Sequence, residues 1–195
     1  MDKALQVLKA LEKQAEGSVN GDDFIPSIGP IKGEVLEDII KKYKPKKILE
    51  MGTLFGYSSI LMARLLPRNG KVITIEINKK YAEIAKKNIE AAGLSEKIEV
   101  MQGNAIIILA EIKEKFDLVF IDAAKKEYLA YLKLAEKKIN KGGIVIADNA
   151  GIFKQEMLDY LDYVKNSGKY KSKTVKVPLE FHEDVEDAME ISIKV

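Results

Sequence analysis

Along most of the chain, short apolar runs alternate with segments whose apolar positions recur every three or four residues. Residues 48–51, 71–77, 98–101, 116–121 and 144–147 read as strands. They are almost wholly apolar, as parallel strands covered on both faces must be. Between them, Asn78 can cap a helix whose Tyr81, Ala82, Ala85, Ile89 and Ala92 share one face, with Gly93 as its stop. A second helix is predicted from about 125 to 139, ended by Gly142-Gly143. Helices at 2–16 and 31–43 precede the sheet, separated by a Gly-, Asp- and Pro-rich loop at 17–30. A helix around 155–166 and two strands, about 170–177 and 189–195, follow it, and the alternation in those strands suits antiparallel edge pairing. The pattern predicts one α/β domain over 1–195, with a doubly wound, mostly parallel sheet in 44–195 and an antiparallel C-terminal edge. Residues 1–43 supply helices that cover the site.

Composition removes several classes. The 195 residues fit one domain, and 32 basic against 30 acidic side chains leave a net charge of +2, no electrostatic reason to expect nucleic acid. Without cysteine there is no disulfide, thiolate-bound zinc, iron–sulfur cluster or thiol nucleophile. The single histidine, His182, leaves oxygen atoms as the ligands of any metal. No apolar run approaches the roughly 20 residues of a membrane span, and the amphipathic start at Asp2 is unlike a signal peptide, so a cytoplasmic protein without membrane contact is expected. Only Arg64 and Arg68 among the basic residues are arginine. A lysine- and glutamate-rich surface fits a heat-adapted source and a skewed base composition equally well. The stripe Ala4, Leu5, Leu8, Leu11 and Ala15 can fold back on its own domain or meet a second copy in a homodimer.

Ligands of such sheets bind beyond the carboxyl ends of the strands, at the point where strand order reverses. The first strand ends Glu50-Met51-Gly52-Thr53-Leu54-Phe55-Gly56-Tyr57-Ser58, a turn lacking both the phosphate-loop Gly-Lys-Ser/Thr and the full dinucleotide Gly-x-Gly-x-x-Gly. Its glycines either let backbone approach a ligand or merely make a tight turn. Glu76, at the tip of the second strand, suits a carboxylate that accepts ribose hydroxyls, although a solvated glutamate leaves the same trace. Gly103-Asn104-Ala105 exposes backbone where an adenine can sit. Together these point to a nucleoside cofactor, NAD-like or S-adenosylmethionine. The fourth and fifth strands end in Asp122 and in Asp148-Asn149, whose three oxygens suit Mg²⁺ or another divalent cation, while either aspartate alone could simply cap a helix.

The combination Glu-x-Gly-x-x-x-Gly-Tyr-Ser, Thr-x-Glu, Asp-x-x-Lys and Asp-Asn resembles class I S-adenosylmethionine-dependent O-methyltransferases of the metal-dependent catechol and caffeoyl-CoA type. The likeness runs from about Ile28 to the C-terminus, through Pro178-Leu179-Glu180-Phe181. It implies a Rossmann-like seven-stranded sheet. It also implies that Ile28, Glu50, Gly52, Thr53, Gly56 and Ser58 surround the methionine part of the cofactor. By the same resemblance Glu76 holds the ribose, Asn104 and Ala105 the adenine side, and Asp122 the cofactor amino group. Asp122, Asp148 and Asn149 become metal ligands, Lys125 the general base, and Glu180 the partner of the acceptor's second hydroxyl. The aromatic gatekeepers of the animal catechol enzymes are altered, since Phe24, Ala124 and Phe153 stand at those places and Ala123 replaces an imidazole beside the metal aspartate. The implied activity is O-methylation of a catechol-like or other chelating, hydroxylated small molecule. A tRNA hydroxyuridine methyltransferase of the same fold and a non-catalytic S-adenosylmethionine-binding protein are the alternatives. An NAD-dependent oxidoreductase is disfavoured by the missing third glycine.

Overall fold

The computed structural model describes residues 2–19, 25–180 and 182–195. The five apolar runs form parallel strands β1 (Lys47–Met51), β2 (Lys71–Glu76), β3 (Ile98–Gln102), β4 (Phe116–Ile121) and β5 (Ile139–Ala147). The trailing strands β6 (Tyr170–Leu179) and β7 (His182–Lys194) add an antiparallel edge, in the order β3-β2-β1-β4-β5-β7-β6. Strand order therefore reverses between β1 and β4. One face is covered by α1 (Lys3–Ser18), α2 (Gly29–Tyr43), α3 (Tyr57–Leu65) and α4 (Lys79–Ala91). The other carries α5 (Ala105–Glu111), α6 (Tyr128–Ala135) and α7 (Leu158–Asn166). Ala4, Leu8, Leu11 and Ala15 of α1 are buried within the chain, so the N-terminal stripe folds back on its own domain.

Several boundaries depart from the expectations, each for a local reason. Helix α2 starts at Gly29, before Ile31, because Pro30 in its first turn has a pre-set φ and needs no N–H partner there. The segment expected to be one helix over 125–139 is a 3₁₀ turn at Lys125–Glu127, then α6, then a second 3₁₀ turn at Glu136–Lys138. Helix α5 falls where only a turn was expected. Its sequence, Ala-Ile-Ile-Ile-Leu-Ala-Glu, shows no helical alternation, and the signal is the cap, Asn104 Oδ1 accepting from Ile106 N at 2.8 Å. β7 begins seven residues before the expected 189, because it pairs with β6 along the whole hairpin.

Two residues at the carboxyl end of β1 set how closely the site can assemble. Gly52 has φ +95°, and a Cβ there would lie 1.9 Å from the Asp122 carbonyl oxygen. The glycine admits the neighbouring strand end rather than only a ligand. Glu50 points away from solvent, fully buried, and accepts from the hydroxyls of Ser58 and Ser59 at the start of α3. Burial pushes its carboxyl up to about 7, against the opposing pull of those hydroxyls.

Gly52→Ala should destabilise the protein by more than about 3 kcal/mol, combining left-handed strain with a backbone collision. Gly142→Ala, at φ +75° with nothing within 4 Å, should cost only about 1–2 kcal/mol, and denaturant titration of the two variants checks the contrast. Because Glu50 binds its proton more tightly folded than unfolded, its contribution is full below about pH 4.5 and lost as pH rises through about 7. Glu50→Gln should therefore flatten the fall in melting temperature between pH 5 and 8, removing about 3 kcal/mol of pH-dependent stability at most.

Candidate active site

At the carboxyl ends of the parallel strands lies a cleft of about 720 Å³. Ile28, Gly52, Thr53, Ser58, Glu76, Asn104, Ala105, Asp122, Lys125, Asp148, Asn149 and Glu180 all line it. Glu50 and Gly56, also expected at the cofactor, are not in its wall. Glu50 stands behind Ser58 and orients it, while Gly56 (φ +88°) opens α3 with its Cα face against Ala85.

One end of the cleft is formed by Glu76, the β1–α3 turn and the residues that follow β3. Glu76 closes β2 and turns its carboxylate back over the β1–α3 turn, where Oε2 accepts from Thr53 N (3.2 Å) and Leu54 N (2.8 Å). Its Oε1 accepts from Asn78 N at 2.8 Å. Two oxygens offer about four acceptor positions and three are taken, so one remains for a hydroxyl presented from the cleft. Leu54 takes φ +48°, which aims consecutive turn amides at Glu76. Beyond β3, Asn104 is committed to capping α5, and Ala105, its first residue, presents a small side chain and backbone to the same cleft.

The other end is charged. Asp122 and Asp148 directly follow β4 and β5, whose last residues pair as Ile121↔Ala147, so both carboxylates leave the sheet at one level. Lys125, one 3₁₀ turn on, donates to Asp122 Oδ1 at 2.9 Å and to the Tyr128 hydroxyl at 3.0 Å. Asp148 is buried, and burial together with the Asp122 charge raises its carboxyl to about 6, opposed by Lys32. Among the described residues its Oδ1 accepts no hydrogen bond, and the Lys32 ammonium lies 2.7 Å away. Asn149 sits in the left-handed region (φ +59°) and donates its Nδ2 to Asp187 Oδ2 at 2.9 Å. Among the described residues no three His, Cys, Asp or Glu side chains group to hold a metal. The set here is two carboxylates and one amide oxygen, a hard-oxygen donor set that fits Mg²⁺ provided other oxygens complete the shell.

Glu180 is held at the start of α2, accepting from Ile31 N at 3.0 Å, with its side chain against Gly29, where a Cβ would come within 2.2 Å. Burial raises its carboxyl above the ordinary range, and the Ile31 amide opposes this. Ala124 and the half-exposed Phe153 face the cleft, and Lys125 Nζ lies 5.8 Å from the Phe153 ring centre. Phe24, the third residue expected around the acceptor, lies outside the described residues.

Lys32 and Asp187 were not anticipated. Lys32 interrupts an apolar stripe of α2 at i, i+4 and i+8 with Leu36 and Ile40, so helical periodicity does mark it as a charge on the buried face. Asp187 carries no comparable signal in the sequence. Among the described residues no helix is long and apolar enough to cross a membrane.

Residues 4–184 match the family model described as O-methyltransferase. Catechol O-methyltransferase B of Danio rerio is 38% identical over 178 residues, 88% of this chain and 66% of that protein. Catechol O-methyltransferase of Niastella koreensis is 42% identical over 127 residues, 63% of this chain and 58% of its own length. The chain thus spans less than two thirds of these curated relatives. Among solved structures, the O-methyltransferase from Bacillus cereus in complex with SAH superposes with a TM-score of 0.85 at 27% identity, covering 97% of this chain and 91% of that one. TomG from Streptomyces achromogenes, in complex with SAM, gives 0.83 at 25% identity over 96% and 90%. With the family model matching nearly the whole chain and these structures superposing over nearly all of it, the chain belongs to the O-methyltransferase family.

Proposed function

We propose that this protein is an S-adenosylmethionine-dependent O-methyltransferase that uses a divalent cation, Mg²⁺ first, to methylate one hydroxyl of a catechol-like or other chelating small molecule. The observation that carries this reading is one cleft with the Glu76 carboxylate, one acceptor position still free, at one end and Asp122, Lys125, Asp148 and Asn149 at the other. The relatives named as catechol O-methyltransferases and the SAH- and SAM-bound neighbours support the same chemistry.

Methyl transfer breaks the donor's C–S bond, forms a C–O bond at the acceptor, and releases the hydroxyl proton. S-adenosylmethionine supplies the methyl group as a sulfonium, and a cation would lower the acceptor's pKa and hold its two oxygens. Glu76 and the β1–α3 turn hold the ribose side, and Ser58, fixed by Glu50, faces the methionine side. Asp122, Asp148 and the Asn149 amide oxygen would hold the cation. Lys125 takes the hydroxyl proton at Nζ, from a position fixed by Asp122 and Tyr128. Glu180, anchored by Ile31 N, faces the second hydroxyl. The transition state loses charge rather than gaining it, so alignment of the reacting atoms supplies most of the rate.

Calorimetry should show S-adenosylmethionine binding, and a methyl-transfer screen over catechols, hydroxycinnamates and tRNA should give a small-molecule product that EDTA abolishes. Absence of cofactor binding overturns the proposal, EDTA-resistant methylation overturns its cation, and methylation confined to tRNA overturns its acceptor. Asp148→Asn should lower turnover by more than about 100-fold while leaving cofactor affinity nearly unchanged. Lys125→Met should lower kcat by about 10²–10⁴-fold with a small effect on KM.

A further inference from the structure

Behind the charged end of the cleft lies a carboxylate that no step above uses. Asp187, at the start of the buried half of β7, is wholly inaccessible, yet four donors converge on it. Lys32 Nζ (2.7 Å) and Asn149 Nδ2 (2.9 Å) reach Oδ2, and the amides of Gly151 (3.1 Å) and Ile152 (3.0 Å) reach Oδ1. A carboxylate has only acceptors, so the amide group of Asn149 has one possible orientation, nitrogen toward Asp187 and oxygen away from it. The same Lys32 ammonium lies 2.7 Å from Asp148. Both consecutive cleft residues, Asp148 and Asn149, are thus tied to one pair of buried charges contributed by α2 and β7.

We infer that Asp187 is a positioning residue of the cation site: its carboxylate turns the Asn149 amide oxygen toward the cleft and, through the shared Lys32 ammonium, sets the place of Asp148. This rests on the cation reading proposed above. The geometry leaves little freedom for a substitute. An asparagine at 187 would present an NH₂ either to Lys32 and Asn149 or to the two backbone amides, a donor facing donors in both orientations. Partners that orient a metal ligand in this way typically change metal affinity by about 10–100-fold when altered.

The full chain is titrated with Mn²⁺, following the electron paramagnetic resonance signal of the free ion, with melting curves recorded in parallel. Asp187→Asn should weaken Mn²⁺ binding by about 10–100-fold. Asn149→Asp should weaken it as well, although it adds a negative charge, because the new carboxylate faces that of Asp187. The exchanged pair Asn149→Asp/Asp187→Asn restores one donor to one acceptor at unchanged net charge, and should bind at least about 5-fold better than either single variant. A role confined to pinning the 148–152 loop would lower the melting temperature without producing that recovery.

Three results overturn the role of Asp187: Asp187→Asn binding Mn²⁺ like the wild type, an exchanged pair no better than the singles, or Asn149→Asp binding more tightly. The last decides the matter even if Asp187→Asn does not fold. A wild-type protein that leaves the Mn²⁺ signal unchanged overturns the cation reading itself, and so is distinguishable from these.

Discussion

The parallel ladder of β1, β4 and β5 runs one residue past the strands, and the site depends on that extension. Asp122 N donates to Met51 O at 2.9 Å, and Asp148 N donates to Ile121 O at 3.0 Å. These two bonds hold Gly52, Asp122 and Asp148 side by side where strand order reverses and the backbone opens to solvent. A side chain at position 52 would force the β1 and β4 ends apart, because the Asp122 carbonyl occupies the place of its Cβ. The charged end of the cleft hangs from this edge.

Placing carboxylates there has an electrostatic consequence. Glu50, Asp148 and Glu180 are all raised above the ordinary carboxylate range, chiefly by burial. Asp187 departs in the opposite direction, because its hydrogen bonds from Lys32 and Ile152 outweigh burial. The Lys32 ammonium lies 2.7 Å from both, so the difference comes from the Asp122 charge beside Asp148 and from the Ile152 amide and Asn149 hydrogen bonds to Asp187. The buried ammonium is retained although a buried ion pair is seldom a net source of stability. Its value lies in geometry: one lysine on α2 connects the helix over the cleft to the residues at its floor.

The strands and most cleft residues were readable because their signals are local. An apolar run bounded by a glycine names a buried strand, and an acid directly after it names a strand tip. Glu76, Asp122, Asp148 and Asn149 were found in that way. Glu50, which only the family resemblance puts at the cofactor, lies inside β1 and stands behind the wall, since strand alternation says which residue follows which and not which face meets the ligand. Helix α5 was missed because its apolar residues cover its whole circumference, leaving only the Asn104 cap as a mark.

The sequence by itself determined the sheet core, the order of glycine turn, acid tip and Asp-Asn tip, and an oxygen-only donor set in a chain with no cysteine and one histidine. These follow from periodicity and residue chemistry within a few positions of one another. Tertiary structure alone decided that Lys32 and Asp187, 155 positions apart, meet at 2.7 Å and that Asp187 turns the Asn149 amide. It also decided that Gly52, besides lining the cleft, yields to the end of β4. Charges paired across such a separation leave no periodic trace, because their partner is chosen by how helices and strands pack and not by spacing along the chain.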